Sequence, residues 1–270
     1  MSDESYIETI ERYWGRDGLG QAILDALAAA GAAMDKLTVD DLAPLDHFHG
    51  GGKRATTRLA RLAAMAPGMR VLDAGGGLGG PARTLAVEHG CHVTVLDLAE
   101  SYVQAGAALT ARLGLAGRVS HRWGNALDLP FADAAFDVVW TQNSGMNIAA
   151  KETMYAAFHR VLRPGGLLVL QEPMAGPVQP PTFPVMWARD ATTHFLRTPY
   201  AMRALIEAAG FRVRAWEDAT LETSGGSAAP AGRSIQSLVM GDMLPVIVEN
   251  GRRNRDEGRI VMVQAVCERA

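Results

Sequence analysis

Residues 71–80 read Val-Leu-Asp-Ala-Gly-Gly-Gly-Leu-Gly-Gly. An apolar pair runs into Asp73, five glycines follow with Leu78 among them, and Pro81 opens a helix-like run. Glycine tolerates backbone angles that a Cβ forbids and lets a ligand lie directly on the main chain. At the carboxyl end of a strand, such a turn fits the binding loop of a nucleotide-type cofactor. It needs a strand before it and a helix after it, which points to an alternating α/β chain.

The rest of the sequence supplies that alternation. Helical spacing at 55–65 stops at Pro67-Gly68, and a short buried strand follows at 70–74. A helix at 81–89, with proline in its first turn, leads to a strand at 92–97. A helix at 100–113 and a strand at 118–123 come next. The unbroken run Val138-Val139-Trp140 marks a strand at 136–142 covered on both faces. A helix at 151–162 ends at Pro164-Gly165-Gly166 before a strand at 167–172. A helix at 199–209, strands at 211–216 and 260–267, and a helical run at 235–248 complete the pattern. The expected architecture is a mostly parallel sheet with helices on both sides. Residues 1–54, with a helical piece near 19–34, are expected as an N-terminal helical appendage or lid, and 55–270 as the main domain. Within the latter, the proline- and aromatic-rich 173–198 and the polar 219–258, with a loop at 219–234, are expected to cap the sheet edge.

Composition bounds the function. A chain of 270 residues, 48% apolar and 20% charged, can bury one generous core with a modest cap. A formal charge of −3 gives no basic face for nucleic acid. Cys91 and Cys267 are too few and too far apart for a disulfide framework or a zinc site, so buried thiols and no metal are expected. The acidic first residues do not read as a signal peptide, and no stretch approaches a membrane span. A cytoplasmic protein away from membranes is the expectation.

Gly75, Gly77 and Gly80 satisfy G-x-G-x-x-G, and Asp97 closes the next strand about twenty residues on, where a carboxylate can bind ribose hydroxyls. A dinucleotide and an adenosyl cofactor meet both conditions. Asp73 distinguishes them, because a carboxylate beside the turn repels a pyrophosphate and attracts an ammonium group. A nicotinamide oxidoreductase, the competing class, also leaves Leu162-Arg163-Pro164-Gly165-Gly166 without a role, and no Tyr-x-x-x-Lys pair is present.

Together with Gly124 to Phe131, Phe136 to Trp140 and Val161 to Gly166, these motifs resemble the class I methyltransferases that use S-adenosylmethionine. The likeness covers roughly residues 55–217. His47-Phe48-His49-Gly50-Gly51 and Leu78 to Arg83 are similar to the small-molecule branch containing sarcosine/dimethylglycine and phosphoethanolamine N-methyltransferases. The resemblance implies a seven-stranded sheet with its last strand antiparallel. It implies that Asp73, Gly75, Gly76 and Gly77 hold the methionine part, and that Asp97 holds the ribose with Leu98 on the adenine. Asn125, Ala126 and Leu127 would meet the adenine edge. Many members carry aspartate where this chain has Asn125. Gln142 and Asn143 would face the methyl-bearing sulfur.

Methyl transfer from a sulfonium is a direct displacement. It needs alignment and dryness, and a base only if the nucleophile arrives protonated. His47, His49 and Asn143 are the candidates for positioning or base chemistry, and Asn147, Trp187 and His194 for contacts with the acceptor. In the phosphoethanolamine branch a histidine occupies the position matched by Asn147, and an amide is no base. Tyr6, Tyr13, Trp14, Phe183, Trp187 and Phe195, with Glu172 or Asp190, would suit a cationic amine; the alternative is that these aromatics pack the cap onto the core. The expected reaction is therefore methylation of a small-molecule acceptor, an amine slightly ahead of a natural-product oxygen or carbon. A non-catalytic cofactor-binding scaffold is the alternative from another class. A monomer and a homodimer are both compatible with the chain.

Overall fold

The computed structural model describes residues 3–224 and 234–270, with side chains from residue 7 onward. Seven strands form one sheet: β1 (Arg70–Ala74), β2 (His92–Asp97), β3 (Val119–Trp123), β4 (Phe136–Gln142), β5 (Leu162–Ala175), β6 (Phe211–Asp218) and β7 (Ile260–Arg269). Their order is β3-β2-β1-β4-β5-β7-β6. The pairs from β3 through β5 are parallel, and β7 runs antiparallel to both β5 and β6. This is the expected Rossmann-like sheet with its last strand reversed.

Successive residues of the central strands feed opposite faces. Leu72, Val139, Leu168 and Leu170 pack under α7 (Lys151–Val161) and α8 (Pro199–Ala208). Val71, Val138, Trp140 and Val169 pack under α4 (Gly52–Leu62) and α5 (Gly80–Glu88). Burial of each such side chain contributes roughly 1.5–3 kcal/mol.

A third apolar cluster joins α2 (Leu19–Ala29) and α3 (Val39–Asp46) to α6 (Glu100–Arg112), α9 (Ile235–Met240) and α10 (Leu244–Asp256). The N-terminal segment holds more helix than expected. α1 (Asp3–Trp14) precedes α2, which stops at Ala29 where Gly31 turns left-handed at φ 79°. Thr38 then opens α3 with a capping box closed by Asp41. The helical run expected at 235–248 is two helices, because Gly241 takes φ 52° and Pro245 restarts the chain in the first turn of α10. β5 outruns its expected bounds because β7 pairs with it as far as Ala175. Residues 225–233 of the loop expected at 219–234 lie outside the described residues. Among the described residues, no helix is long and apolar enough to cross a membrane.

The strand order turns between β1 and β4, so the connections leaving these two neighbours diverge to opposite faces. A crevice opens there, beyond the carboxyl ends of the strands.

Candidate active site

The crevice is a cleft of about 1100 Å³ floored by the turns after β1, β2, β3 and β4. The turn after β1 is sterically committed to glycine. Gly75 has φ +73°, and a Cβ on it would stand 2.4 Å from the Ser144 Cβ. A Cβ on Gly76 would stand 2.6 Å from Cγ of Asp73. The chain thus brings bare backbone to the cleft wall. Asp97 anchors this turn: one carboxylate oxygen accepts from the Gly77 N–H at 2.8 Å and the other from the Ala99 N–H at 2.9 Å. Each oxygen keeps acceptor capacity toward the cleft.

Asp73 differs in having no such anchor. It is 1% exposed, and its Oδ2 is buried without a hydrogen-bond partner. Burial, reinforced by Asp97 and opposed by Arg83, pushes its carboxyl up to about 8. An ionised carboxylate here needs a cation, and the ammonium of an amino-acid cofactor supplies one. Beyond Asp97, Leu98, Asn125, Ala126 and Leu127 continue the wall of the cleft. The Asn125 side-chain oxygen accepts from the Leu127 N–H at 2.9 Å, which holds the amide in a local turn.

The other end of the cleft is built from distant segments. Ile10 and Trp14 of α1, Phe48 and His49 before α4, and Asn143, Met146, Asn147 and Ile148 after β4 line it. Asn143 takes φ 55°, a left-handed angle at which a non-glycine residue is strained. Its side-chain oxygen accepts from Gln171 at 3.2 Å. Asn147 donates to the carbonyls of Trp187 at 2.9 Å and Thr193 at 2.8 Å, and accepts from Trp14 Nε1 at 3.2 Å. It ties the cap and α1 to the cleft wall.

Under this end lies a ladder of amides. Gln142, Gln171 and Gln264 are directly paired across β4, β5 and β7. Gln264 donates to Gln171 Oε1 at 2.8 Å, and Gln142 Oε1 accepts from Trp140 Nε1 and from Thr56, each at 3.0 Å. Gln142 and Gln171 follow apolar strand runs and Gln264 interrupts one; of the three, only Gln142 was a candidate from sequence.

The candidates named from sequence fall into two groups. Asp73, Gly75, Gly76, Gly77, Asp97, Leu98, Asn125, Ala126, Leu127, Gln142, Asn143, His49 and Asn147 all line the one cleft. His47, Trp187 and His194 do not. His47 is sealed against Asp46 Oδ1 at 2.6 Å and Thr84 at 3.2 Å. Its partner Asp46 also pairs with the fully buried Arg83 at 2.9 Å. Burial alone would raise the Asp46 carboxyl, but His47 and Arg83 hold it down at about 2. Trp187 and His194 stack on each other and share a hydrogen bond of 3.2 Å within the cap. His49 reaches the cleft, but burial and the neighbouring His47 pull it down to about 3. Glu172 faces away from the cleft into a smaller hollow behind it, and Asp190 is exposed. The side chain of Tyr6 lies outside the described residues. Ser144, Tyr102 and Ile10 were not among the sequence candidates and do line the cleft.

Residues 71–166 match the family described as methyltransferase domain. This segment is similar to the class I methyltransferases that use S-adenosylmethionine. A glycine/sarcosine/dimethylglycine N-methyltransferase of Actinopolyspora halophila is 37% identical over 132 residues, 49% of this chain and 23% of that protein. A sterol 24-C-methyltransferase of Gibberella zeae is 35% identical over 114 residues, 42% of this chain and 30% of that protein. The match thus spans under a third of the length of either curated relative. The structure of geranyl diphosphate C-methyltransferase from Streptomyces coelicolor A3(2) has a TM-score of 0.74 at 18% identity, covering 98% of both chains. The methyltransferase domain's cofactor is S-adenosylmethionine, and the unpartnered Asp73, the glycine cradle and the two-oxygen Asp97 suit its ammonium, carboxylate-bearing chain and ribose in turn.

Proposed function

We propose that the chain transfers the methyl group of S-adenosylmethionine to a small, neutral, largely apolar acceptor through an oxygen or carbon nucleophile. The bound cofactor supplies an electrophilic methyl carbon. Asp73 and the turn at 75–77 would hold its amino-acid part, and Asp97 its ribose. The protein's remaining task is to align the acceptor and exclude water, which can supply roughly 7–11 kcal/mol of the barrier. Ile10, Trp14, Phe48 and Met146 form an apolar enclosure for this purpose. On this reading residues 1–54 act as the lid of a domain at 55–270.

The observation that carries the choice of acceptor is the cleft's supply of negative charge. Among the described residues, the carboxylates lining it are Asp46, Asp73 and Asp97. Asp46 is paired with Arg83 and His47, and the other two belong to the cofactor. A cationic amine, the nucleophile first favoured on sequence, therefore has no carboxylate left to meet it. Calorimetry with S-adenosylhomocysteine, followed by a product assay over matched phenols, carboxylic acids and amines, tests this reading. Turnover confined to amines would refute the acceptor class, and absence of cofactor binding would refute the function.

A further inference from the structure

An acceptor hydroxyl must lose a proton as it takes the methyl group, and the groups on the cleft's acceptor side are poorly suited to receive it. His47 is sealed away, His49 is pulled far below neutrality, and Asn143 and Asn147 are amides.

Behind the loop after β4 three features meet. Ser144 lines the cleft beside Gly75, and its Oγ lies 2.5 Å from Thr141 Oγ1. Thr141 donates to Glu172 Oε1 at 3.3 Å. Glu172 is fully buried, and its Oε2 has no partner. Glu172 borders a hollow behind the loop, of a size for a water molecule, together with Lys151, Tyr155, Leu196 and Arg197. The Tyr155 hydroxyl on its wall is also unpartnered. A chain of polar groups thus crosses from the cleft to a second, separate hollow.

We propose that Glu172 is the proton acceptor of this enzyme, reached from the cleft through the hydroxyls of Ser144 and Thr141. The inference rests on the methyltransferase reading above. In the productive arrangement Ser144 turns its proton from the Ala74 carbonyl, 3.2 Å away, to Thr141, and Thr141 donates to Glu172, so that a lone pair of Ser144 is free for the acceptor. The acceptor's O–H bond breaks and its proton goes to Ser144 Oγ. Ser144 passes its own proton to Thr141, and Thr141 passes its own to Glu172 Oε1, which becomes a neutral acid. The freed oxygen pair forms the bond to the methyl carbon while the carbon–sulfur pair stays on sulfur, so charge and atoms balance. Glu172 then loses the proton through the rear hollow.

The surroundings suit this task. Lys151 and Tyr155 of α7 face Glu172, with Arg197 from the cap, and the Ser144 and Gly145 N–H groups donate to Oε1 at 3.2 and 3.0 Å. Burial raises the Glu172 carboxyl, and these donors and Lys151 oppose the rise. Burial also brings Lys151 down to about 8. A base lifted toward the working pH accepts a proton more effectively than an ordinary carboxylate.

Glu172 also shapes the loop, so the test must separate the two roles. Wild type and Glu172→Gln are compared with S-adenosylmethionine and a series running from phenol to 4-nitrophenol, which is already ionised in mildly alkaline buffer. The relay requires kcat for phenol to fall about 100-fold or more, the fall to shrink along the series, and little change for 4-nitrophenol. KM for S-adenosylmethionine and the calorimetric affinity for S-adenosylhomocysteine should hold in the variant. Thr141→Val, which keeps the carboxylate and breaks the wire, should show the same graded loss. An equal loss on every phenol would make Glu172 a loop-shaping residue and overturn the proposal. So would full phenol activity in Thr141→Val, or methylation of other acceptors with none of phenols. If the wild type does not bind S-adenosylhomocysteine, the functional reading fails, and this inference with it.

Discussion

The two ends of the cleft are built on opposite plans. The end proposed for the cofactor is local in sequence, made by the turns at 75–77, 97–98 and 125–127, and it presents backbone plus a carboxylate with no partner. The acceptor end draws on α1, the segment at 46–56, the loop after β4 and the cap. Its polar side chains are largely engaged by one another, as in Asn147, His49 and Gln142. Open polar groups mark where the protein awaits a charged partner. Closed ones mark where it has fixed a shape, and a fixed apolar shape selects by fit.

Asp97→Ala should break the cofactor end most severely. It removes the acceptors for the ribose and frees the Gly77 and Ala99 N–H groups that hold the turn. Hydrogen bonds to a charged group contribute about 1.5–3 kcal/mol each, so affinity for S-adenosylhomocysteine should fall by about 100-fold or more. Calorimetry showing wild-type affinity would remove Asp97 from the site.

Asp73→Asn comes next and carries a pH signature. The carboxyl sits at about 8 in the native protein against an ordinary value of 3.8. Between those values the native state holds a proton that the unfolded chain has released. Stability of the ligand-free protein therefore falls as pH rises through this window. Cofactor binding needs the ionised form, so affinity should strengthen toward about pH 8, with release of about one proton per binding event below it. Titrations in two buffers of different ionisation heat measure that proton. In Asp73→Asn the release should vanish, affinity should drop by about 30-fold, and the ligand-free protein should melt higher at alkaline pH.

Legibility in the sequence follows the same division. Asp73, the glycine turn and Asp97 lie within 25 residues of each other, and periodicity places them on consecutive strand ends, so both their position and their chemistry can be read. His47 and His49 are two residues apart, yet one is sealed and the other lines the cleft, a difference set by Arg83 and Thr84 of α5 packing against Asp46 and His47. Trp187 and His194 were plausible pocket residues whose mutual stacking needs the folded cap. Of the α1 aromatics named as pocket candidates, Trp14 lines the cleft beside Ile10, whereas Tyr13 donates to the Met186 carbonyl at 3.0 Å in the cap. Sequence shows what a residue type can do, but which neighbours occupy it is set by packing, as when α5 brings Thr84 against His47 from 37 positions away.

Asn147→Ala tests the closed end. At least three hydrogen bonds disappear, from Trp14 and to the carbonyls of Trp187 and Thr193. Stability should fall by about 2 kcal/mol, read in a denaturant melt, while S-adenosylhomocysteine affinity should change by less than about 2-fold, since no cofactor contact is lost. A loss of cofactor affinity comparable to that of Asp73→Asn would erase the distinction between the two ends.

Gln264→Met probes how far the closed end reaches. Gln264 is buried at the far rung of the ladder, donating to Gln171 and to the Ala55 carbonyl at 3.0 Å and accepting from Arg58. Methionine fills similar volume without those polar atoms, leaving two buried acceptors and the Arg58 donor short of one bond each, at a cost of about 2 kcal/mol. Gln171 would keep its bonds to the Gly50 carbonyl and Asn143. The left-handed Asn143 should therefore stay in place, and catalytic turnover should hold within about 2-fold. A larger drop in kcat at unchanged cofactor affinity would mean that the amide ladder transmits geometry across three strands to the site of transfer. The acceptor end would then extend along this face of the sheet to the Arg58–Glu217 pair at β6.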